Sequence, residues 1–91
     1  MQVLENERFR VQIDEQGAEL ASWVSKADGT EYVWKADPAV WKRHAPILFP
    51  IVGRLKGQYY TVGGKKYEIT QHGFGRDLAW KPVRTESACV E

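Results

Sequence analysis

The feature that most constrains this chain is the stretch Tyr59–Thr70, YYTVGGKKYEIT, in which two alternating runs meet at Gly63-Gly64. A two-residue loop matches the twist of its flanking strands when both central residues take positive φ, and a glycine pair does so without steric cost. The pairing follows: Val62 opposes Lys65, and Tyr60 opposes Tyr67. Because side chains alternate across a strand, Tyr60, Val62, Tyr67 and Ile69 share one face, while Tyr59, Thr61, Lys66, Glu68 and Thr70 occupy the other. A β-hairpin is expected here, with Arg54 ahead of it and His72 behind.

The same period of two governs the first third of the chain. Arg8–Asp14 sets Phe9, Val11 and Ile13 against Arg8, Arg10, Gln12 and Asp14, the pattern of a half-buried strand. Gln16-Gly17 interrupts it, and Ala18–Ser25 resumes as a second strand in which Leu20 and Val24 oppose Ala21 and Trp23. Asp28-Gly29 supplies a turn, after which the β-branched and aromatic run Thr30–Trp34 predicts a third strand. Asp37-Pro38 is a helix-start pair, the aspartate capping free amides and the proline losing no needed bond, so a short turn is expected through Trp41–Arg43. Pro46 and Pro50 exclude a regular helix, which leaves Ile47–Val52 as an edge strand, a bulged strand or a buried crossing segment. Beyond the hairpin, the two glycines of Gln71–Asp77 predict a sharp turn carrying His72 on a loop. Leu78–Val83 and Ser87–Val90 read as two further strands. The sequence stops at Glu91 within an extended pattern, with no turn, cap or polar tail, and so reads as a chain cut rather than finished.

Composition narrows the partners. Ninety-one residues suffice for one core and not for two, so a single domain or a part of one is expected over 1–91. With 43% hydrophobic and 27% charged residues the chain has the makeup of a globular domain. A formal charge of +1 provides no field for a phosphate backbone or an anionic membrane, which argues against nucleic acid and against a membrane as partners. The N-terminus lacks an apolar signal-peptide core, and no apolar run is long enough to span a bilayer. One cysteine and two histidines give neither a disulfide nor a zinc pattern, so no metal or cofactor is expected, and a reducing, cytoplasmic setting fits.

Few side chains are candidates for chemistry, and each has a structural alternative. Arg54 follows a glycine at the end of an apolar run, where its fork of donors can grip vicinal hydroxyls or a carboxylate; equally it is a strand-end arginine in solvent or in an ion pair. His72, with a reference pKa of about 6.5, can donate a hydrogen bond or shuttle a proton, or be a turn histidine bonded to backbone. His44 caps the short turn through its last carbonyls. Some of the aromatic side chains can form a platform for the apolar face of a sugar ring, although most belong to the core. Cys89 reads as a small buried residue and not a nucleophile, and Gly63-Gly64-Lys65-Lys66 as a solvated hairpin tip.

The segments Trp41–Leu55, WKRHAPILFPIVGRL, and Gln71–Asp77, QHGFGRD, with Tyr59-Tyr60 between them, resemble the N-terminal portion of aldose 1-epimerase (galactose mutarotase)-like proteins. Asn6-Glu7 and Gly17-Ala18-Glu19-Leu20 match the same family's opening strands, and the likeness is greatest to its less characterised bacterial branch. The resemblance implies an all-β fold, the N-terminal part of an antiparallel β-sandwich whose concave face binds a hexose. It implies a sugar as small-molecule partner, Arg54 as the arginine that contacts its hydroxyls, and His72 as the first active-site histidine. The implied reaction interconverts α and β anomers, with no cofactor: a base takes the C1 hydroxyl proton, an acid protonates the ring oxygen, and the ring opens and recloses. The family's acid, a second histidine, and its base, a glutamate, lie further downstream and have no counterpart here. A chain without them is expected to be nearly inactive, since each such group contributes about 10²–10⁴-fold. Absent strands would leave open sheet edges, which invite self-association. Two other classes stay open: a non-catalytic carbohydrate-binding domain using the same face, and a small nucleic-acid-binding barrel stacking bases on Tyr59 and Trp80.

Overall fold

Seven short strands pair into three antiparallel sheets in the structure, a computed structural model that describes residues 1–91. The first sheet joins β1 (Gln2–Glu5), β2 (Phe9–Asp14) and β3 (Glu19–Ser25) in the order β1-β2-β3. The second is the hairpin β4 (Tyr59–Val62) and β5 (Lys65–Glu68), and the third the hairpin β6 (Thr85–Glu86) and β7 (Cys89–Val90). Two 3₁₀ turns, Lys56–Gln58 and Gly75–Asp77, complete the regular structure.

The central hairpin has the expected register. Tyr60 pairs with Tyr67 and Val62 with Lys65, and Gly63 and Gly64 take φ of 56° and 79°, the doubly positive turn that the glycine pair allows. Tyr60 and Tyr67 stack with centroids 5.3 Å apart, and the Lys66 ammonium lies 4.5 Å from the centre of the Tyr59 ring on the opposite face. Cross-strand contacts of this kind hold the strands even though all their residues are exposed.

In the first sheet the faces differ from the simple alternation. Gln12 pairs with Ser22, but Ile13 pairs with Leu20, so Ala21 is an extra residue in β3. Such a bulge shifts parity by one, and Leu20 (opposite Ile13) and Trp23 (opposite Val11) therefore share a face rather than opposing each other. Trp23 completes that face by meeting Phe9 edge to face at 5.9 Å. β1, in the charged N-terminal segment, was not foreseen as a strand from its own residues. It pairs through Val3 with Gln12 and Leu4 with Val11.

The third strand expected over Thr30–Trp34 does not form. Two backbone bonds run between it and β3, Ser25 N–H to the Thr30 carbonyl and Tyr32 N–H to the Trp23 carbonyl, each 2.9 Å. The Glu31 carboxylate takes the intervening Trp23 amide at 2.8 Å and then the Val33 amide at 2.9 Å, and this competition with the ladder bends the chain away. The strand expected over Leu78–Val83 likewise shrinks to one bridge, Ala79 to Gln16, before Pro82 ends any ladder. Ser87-Ala88 is a turn, not a strand start, between β6 and β7.

Asp37 starts a single turn as its cap signal predicts, its side chain accepting the Ala39 amide at 2.9 Å and its carbonyl the amides of Val40 and Trp41. The turn ends at Trp41 and does not reach Arg43. Ile47–Val52 is a crossing segment: Phe49 bridges to Gly73, and its carbonyl accepts the amides of Phe74 and Gly75, both at 2.9 Å. It is only partly covered, with Phe49 55% and Val52 77% exposed.

The described chain is a slab. Its extents are 55 × 34 × 15 Å and its radius of gyration is 16.5 Å, where a compact chain of this length has about 12 Å. Its accessible surface of 6836 Å² exceeds the roughly 5,400 Å² expected for its mass. Ile69 is the one large apolar side chain that is buried, and all four tryptophans and all four tyrosines are exposed.

Candidate functional site

His72 and Arg54 meet through Gly53. The His72 amide donates to the Gly53 carbonyl at 2.8 Å, and the Gly53 amide donates to His72 Nδ1, also at 2.8 Å. A backbone N–H can only donate, so Nδ1 is an acceptor and the proton of the neutral imidazole sits on Nε2. His72 thus offers a hydrogen-bond donor on the side of the ring away from Gly53. Its φ is 62°, a left-handed conformation that costs a non-glycine residue about 1–2 kcal/mol and that the two bonds to Gly53 offset. Gly73, at φ 72°, follows directly; a Cβ there would overlap the Phe49 carbonyl oxygen. The motif needs glycine at that point because two backbones touch.

Arg54, next along the chain from Gly53, is exposed, and its guanidinium takes part in none of the chain's hydrogen bonds or ion pairs. The ion pair is therefore not realised, and the side chain stands in solvent, which fits both the strand-end arginine and one free to grip a ligand. His72 is half-buried and lines a cavity of about 330 Å³ with Trp41, Pro46, Leu48, Gln71 and Arg76. Arg76 donates through Nη2 to the Gln71 carbonyl at 2.9 Å, while its buried Nε–H has no partner. Buried guanidinium nitrogens are usually satisfied, so the second arginine beside His72 is an exception that marks this corner of the molecule.

A buried carboxylate ties the site together. Glu19, the first residue of β3 and 7% exposed, accepts the amides of His44 at 2.6 Å and Ala45 at 3.0 Å. Arg43 lies 3.9 Å from its other oxygen, binds Asp77 at 2.6 Å and donates to the Arg76 carbonyl at 3.2 Å. Glu19 and Arg43 therefore fasten the crossing segment and the QHGFGRD turn to the first sheet. Neither was singled out from the sequence, although both stand inside the quoted motifs; a charged residue in a strand carries no local sign of a tertiary partner. His44 binds backbone, as expected, but its Nδ1 donates to the Trp34 carbonyl at 2.6 Å and not to the turn it follows. Cys89 is half-buried and lies 3.7 Å from Arg84 Nη2. No group of three His, Cys, Asp or Glu side chains stands close enough to hold a metal ion, and no helix is long and apolar enough to cross a membrane.

The antiparallel, all-β arrangement is the N-terminal part of a galactose mutarotase-like sandwich, as its match to solved structures shows. The backbone matches a galactose mutarotase-like protein from Lactobacillus casei with a TM-score of 0.95 and 46% identity, over 99% of this chain and 31% of that one. It matches a galactose mutarotase related enzyme from Lactobacillus acidophilus with a TM-score of 0.92 and 43% identity, over 94% of this chain and 29% of that one. The chain belongs to the aldose 1-epimerase family, which it matches over residues 1–91. Among curated proteins it is 40% identical over 78 residues to the plasmid-borne protein LacX of Lactococcus lactis subsp. lactis, covering 80% of this chain and 26% of that protein. The chain thus spans about a quarter of the length of the curated relatives it matches.

Proposed function

We propose that this chain is the sugar-holding N-terminal part of an aldose 1-epimerase-type isomerase acting on a hexose or related sugar. Arg54 contacts the sugar hydroxyls, and His72 donates a hydrogen bond to the substrate through Nε2. The observation that carries the reading is the clasp at Gly53, one residue along the chain from Arg54, in which two hydrogen bonds hold His72 at positive φ and leave its Nε2–H free to donate. Positive φ alone does not distinguish His72, because Ala18, Ala36 and Gln58 share it; what does is the ring nitrogen fixed by a backbone amide, which aims the other nitrogen as a donor.

Residues 1–91 act in this reading as part of one domain. The many exposed aromatic side chains support this, since a sandwich buries such side chains between its layers, and the relatives are some three times as long. A reducing, cytoplasmic setting goes with the single free thiol of Cys89.

Anomerisation needs three coupled events: removal of the C1 hydroxyl proton, cleavage of the bond from C1 to the ring oxygen, and protonation of that oxygen. The open-chain aldehyde then rotates and recloses with the protons returned. His72 positions the substrate for this, and the acid and base belong to the remainder of the family's fold. In a protein carrying that remainder, Arg54→Ala or His72→Ala lowers the polarimetric rate constant by about 10²-fold or more. The 91-residue chain alone leaves the spontaneous mutarotation of D-galactose unchanged. Acceleration by the 91-residue chain, or full activity of both alanine variants in the longer protein, would overturn the assignment.

A further inference from the structure

The four tryptophans have different roles, and one has none within the chain. Trp34 donates its indole N–H to the Trp41 carbonyl at 2.8 Å, Trp80 donates to the Gly75 carbonyl at 2.9 Å, and Trp23 packs edge to face on Phe9. The Trp41 ring makes no hydrogen bond and no aromatic pair, and is 50% exposed. Its backbone, by contrast, is fixed from both sides: the amide donates to the Asp37 carbonyl at 2.9 Å, and the carbonyl accepts the Trp34 indole. A large flat ring is thus held on a fixed turn at the edge of a cavity. It lines the cavity of about 330 Å³ that also holds His72 and Arg76.

We infer that Trp41 is the stacking platform for the substrate ring, the residue against which one apolar C–H face of a pyranose lies while its hydroxyl edge meets His72 and Arg76. The inference rests on the sugar-binding reading above and adds the residue that sets the ring's orientation. Three observations carry it. The cavity lies at the small end of the roughly 300–1,000 Å³ typical of ligand sites, which suits one monosaccharide unit. Its lining is divided between the apolar Trp41, Pro46 and Leu48 and the polar Gln71, His72 and Arg76, the division a pyranose presents between its C–H face and its hydroxyl rim. The indole is the most electron-rich aromatic side chain, so the weakly positive C–H groups of a sugar are attracted to its face. Selectivity follows: an aldopyranose whose axial hydroxyl leaves several C–H groups together on one face binds better than an epimer that interrupts them.

The test is a titration of the uniformly ¹⁵N-labelled 91-residue chain with D-galactose, followed at the four indole N–H signals and at the His72 ring. The Trp41 indole and the His72 ring are expected to shift with one midpoint. Trp41→Phe keeps that midpoint within about threefold, and Trp41→Ala raises it about tenfold, the equivalent of losing one aromatic contact. An unchanged His72 amide signal in the sugar-free alanine variant shows that the site still folds. Saturating His72 shifts with a stationary Trp41 indole, or wild-type affinity in Trp41→Ala, overturn the platform and leave the sugar site standing. Absence of saturable shifts at both positions overturns the two together.

Discussion

Glu19→Ala tests whether one buried carboxylate fastens the site to the first sheet. The side chain is 7% exposed, and its Oε1 receives two backbone amides at 2.6 and 3.0 Å. Alanine leaves the His44 and Ala45 amides without an acceptor, at about 1–3 kcal/mol for each unsatisfied buried group. The slab is thin enough for water to reach part of this region, so the lower half of that range applies, roughly 2–4 kcal/mol in all. The Arg43 contact at 3.9 Å adds little, because Arg43 is partly solvated and keeps its shorter bond to Asp77. A chain of this size has roughly 5–14 kcal/mol of stability, so the loss is a large share of the whole.

Urea unfolding reads the effect directly. With a denaturant slope of about 1–2 kcal/mol/M, Glu19→Ala lowers the midpoint by about 1–4 M. Glu19→Gln retains a carbonyl oxygen for the two amides and loses only the charge, so it lowers the midpoint by less than about 1 M. Amide spectra give a second readout: the His44 and Ala45 signals move upfield in the alanine variant and stay near their places in the glutamine variant. Equal destabilisation by the two variants would falsify the account, since it would mean that the charge and not the acceptor matters. A loss below about 0.5 kcal/mol for alanine would place the carboxylate among ordinary surface groups.

Other consequences can be measured on the same chain. Gly64→Ala and Gly73→Ala both place alanine at positive φ, 79° and 72°, but Gly64 faces open space while a Cβ at Gly73 overlaps the Phe49 carbonyl. The first costs about 1–2 kcal/mol and the second about 3–5 in thermal or urea unfolding, and equal losses would show that the close approach at Gly73 is not real. For Glu31, partial burial pushes the pKa up, but hydrogen bonds from Ser22 and from the Trp23 and Val33 amides, together with nearby His44, outweigh it and hold the carboxyl below its ordinary value. A depressed folded value means that this stabilisation is present above the unfolded value of about 4.3 and is lost as the pH falls through the folded one, so Glu31→Gln should flatten the acid limb of stability below about pH 5. An equal effect of the substitution at all pH values would remove the carboxylate's charge from the explanation. Replacing Lys66 with Met, which ends its contact with the Tyr59 ring, changes stability by less than about 1 kcal/mol at so exposed a hairpin, and a larger loss would show that the pair matters more than its exposure implies.

What could be read from the sequence was what neighbouring residues decide. Gly63-Gly64 set the hairpin because the turn and its flanking alternation are contiguous, and Asp37-Pro38 set the capped turn for the same reason. Pro82 and the Ser87-Ala88 turn are local limits, but the other departures come from tertiary competition. Thr30–Trp34 has the composition of a strand, yet the Glu31 side chain takes the amide that a ladder would have used. Ala21 gives no sign in the sequence that it is a bulge, although it reverses which residues share a face with Val11. β1 was hidden because its alternation is short and flanked by charge, so its pairing with β2 is what makes it a strand. Local physics left Arg54 and His72 ambiguous; the clasp through Gly53 joins residues 19 positions apart and is visible only once the hairpin between them has closed.

The weakness of the core and the tightness of the site have one explanation. Apolar burial normally fixes loops from beneath, but in this slab Ile69 is the one large apolar side chain that is buried, so burial contributes little to ordering the loop around His72. Polar bonds do that instead: Gly53 to His72 in both directions, Phe49 to Phe74 and Gly75, and Glu19 to His44 and Ala45. Each such bond contributes about 0.5–1.5 kcal/mol where water competes for it and more where water is excluded. Covering the exposed aromatic side chains with the second layer of a sandwich would therefore do more than bury Trp and Tyr rings. By lowering the local dielectric it would strengthen the bonds that aim His72, so completing the fold and sharpening the site are a single physical event.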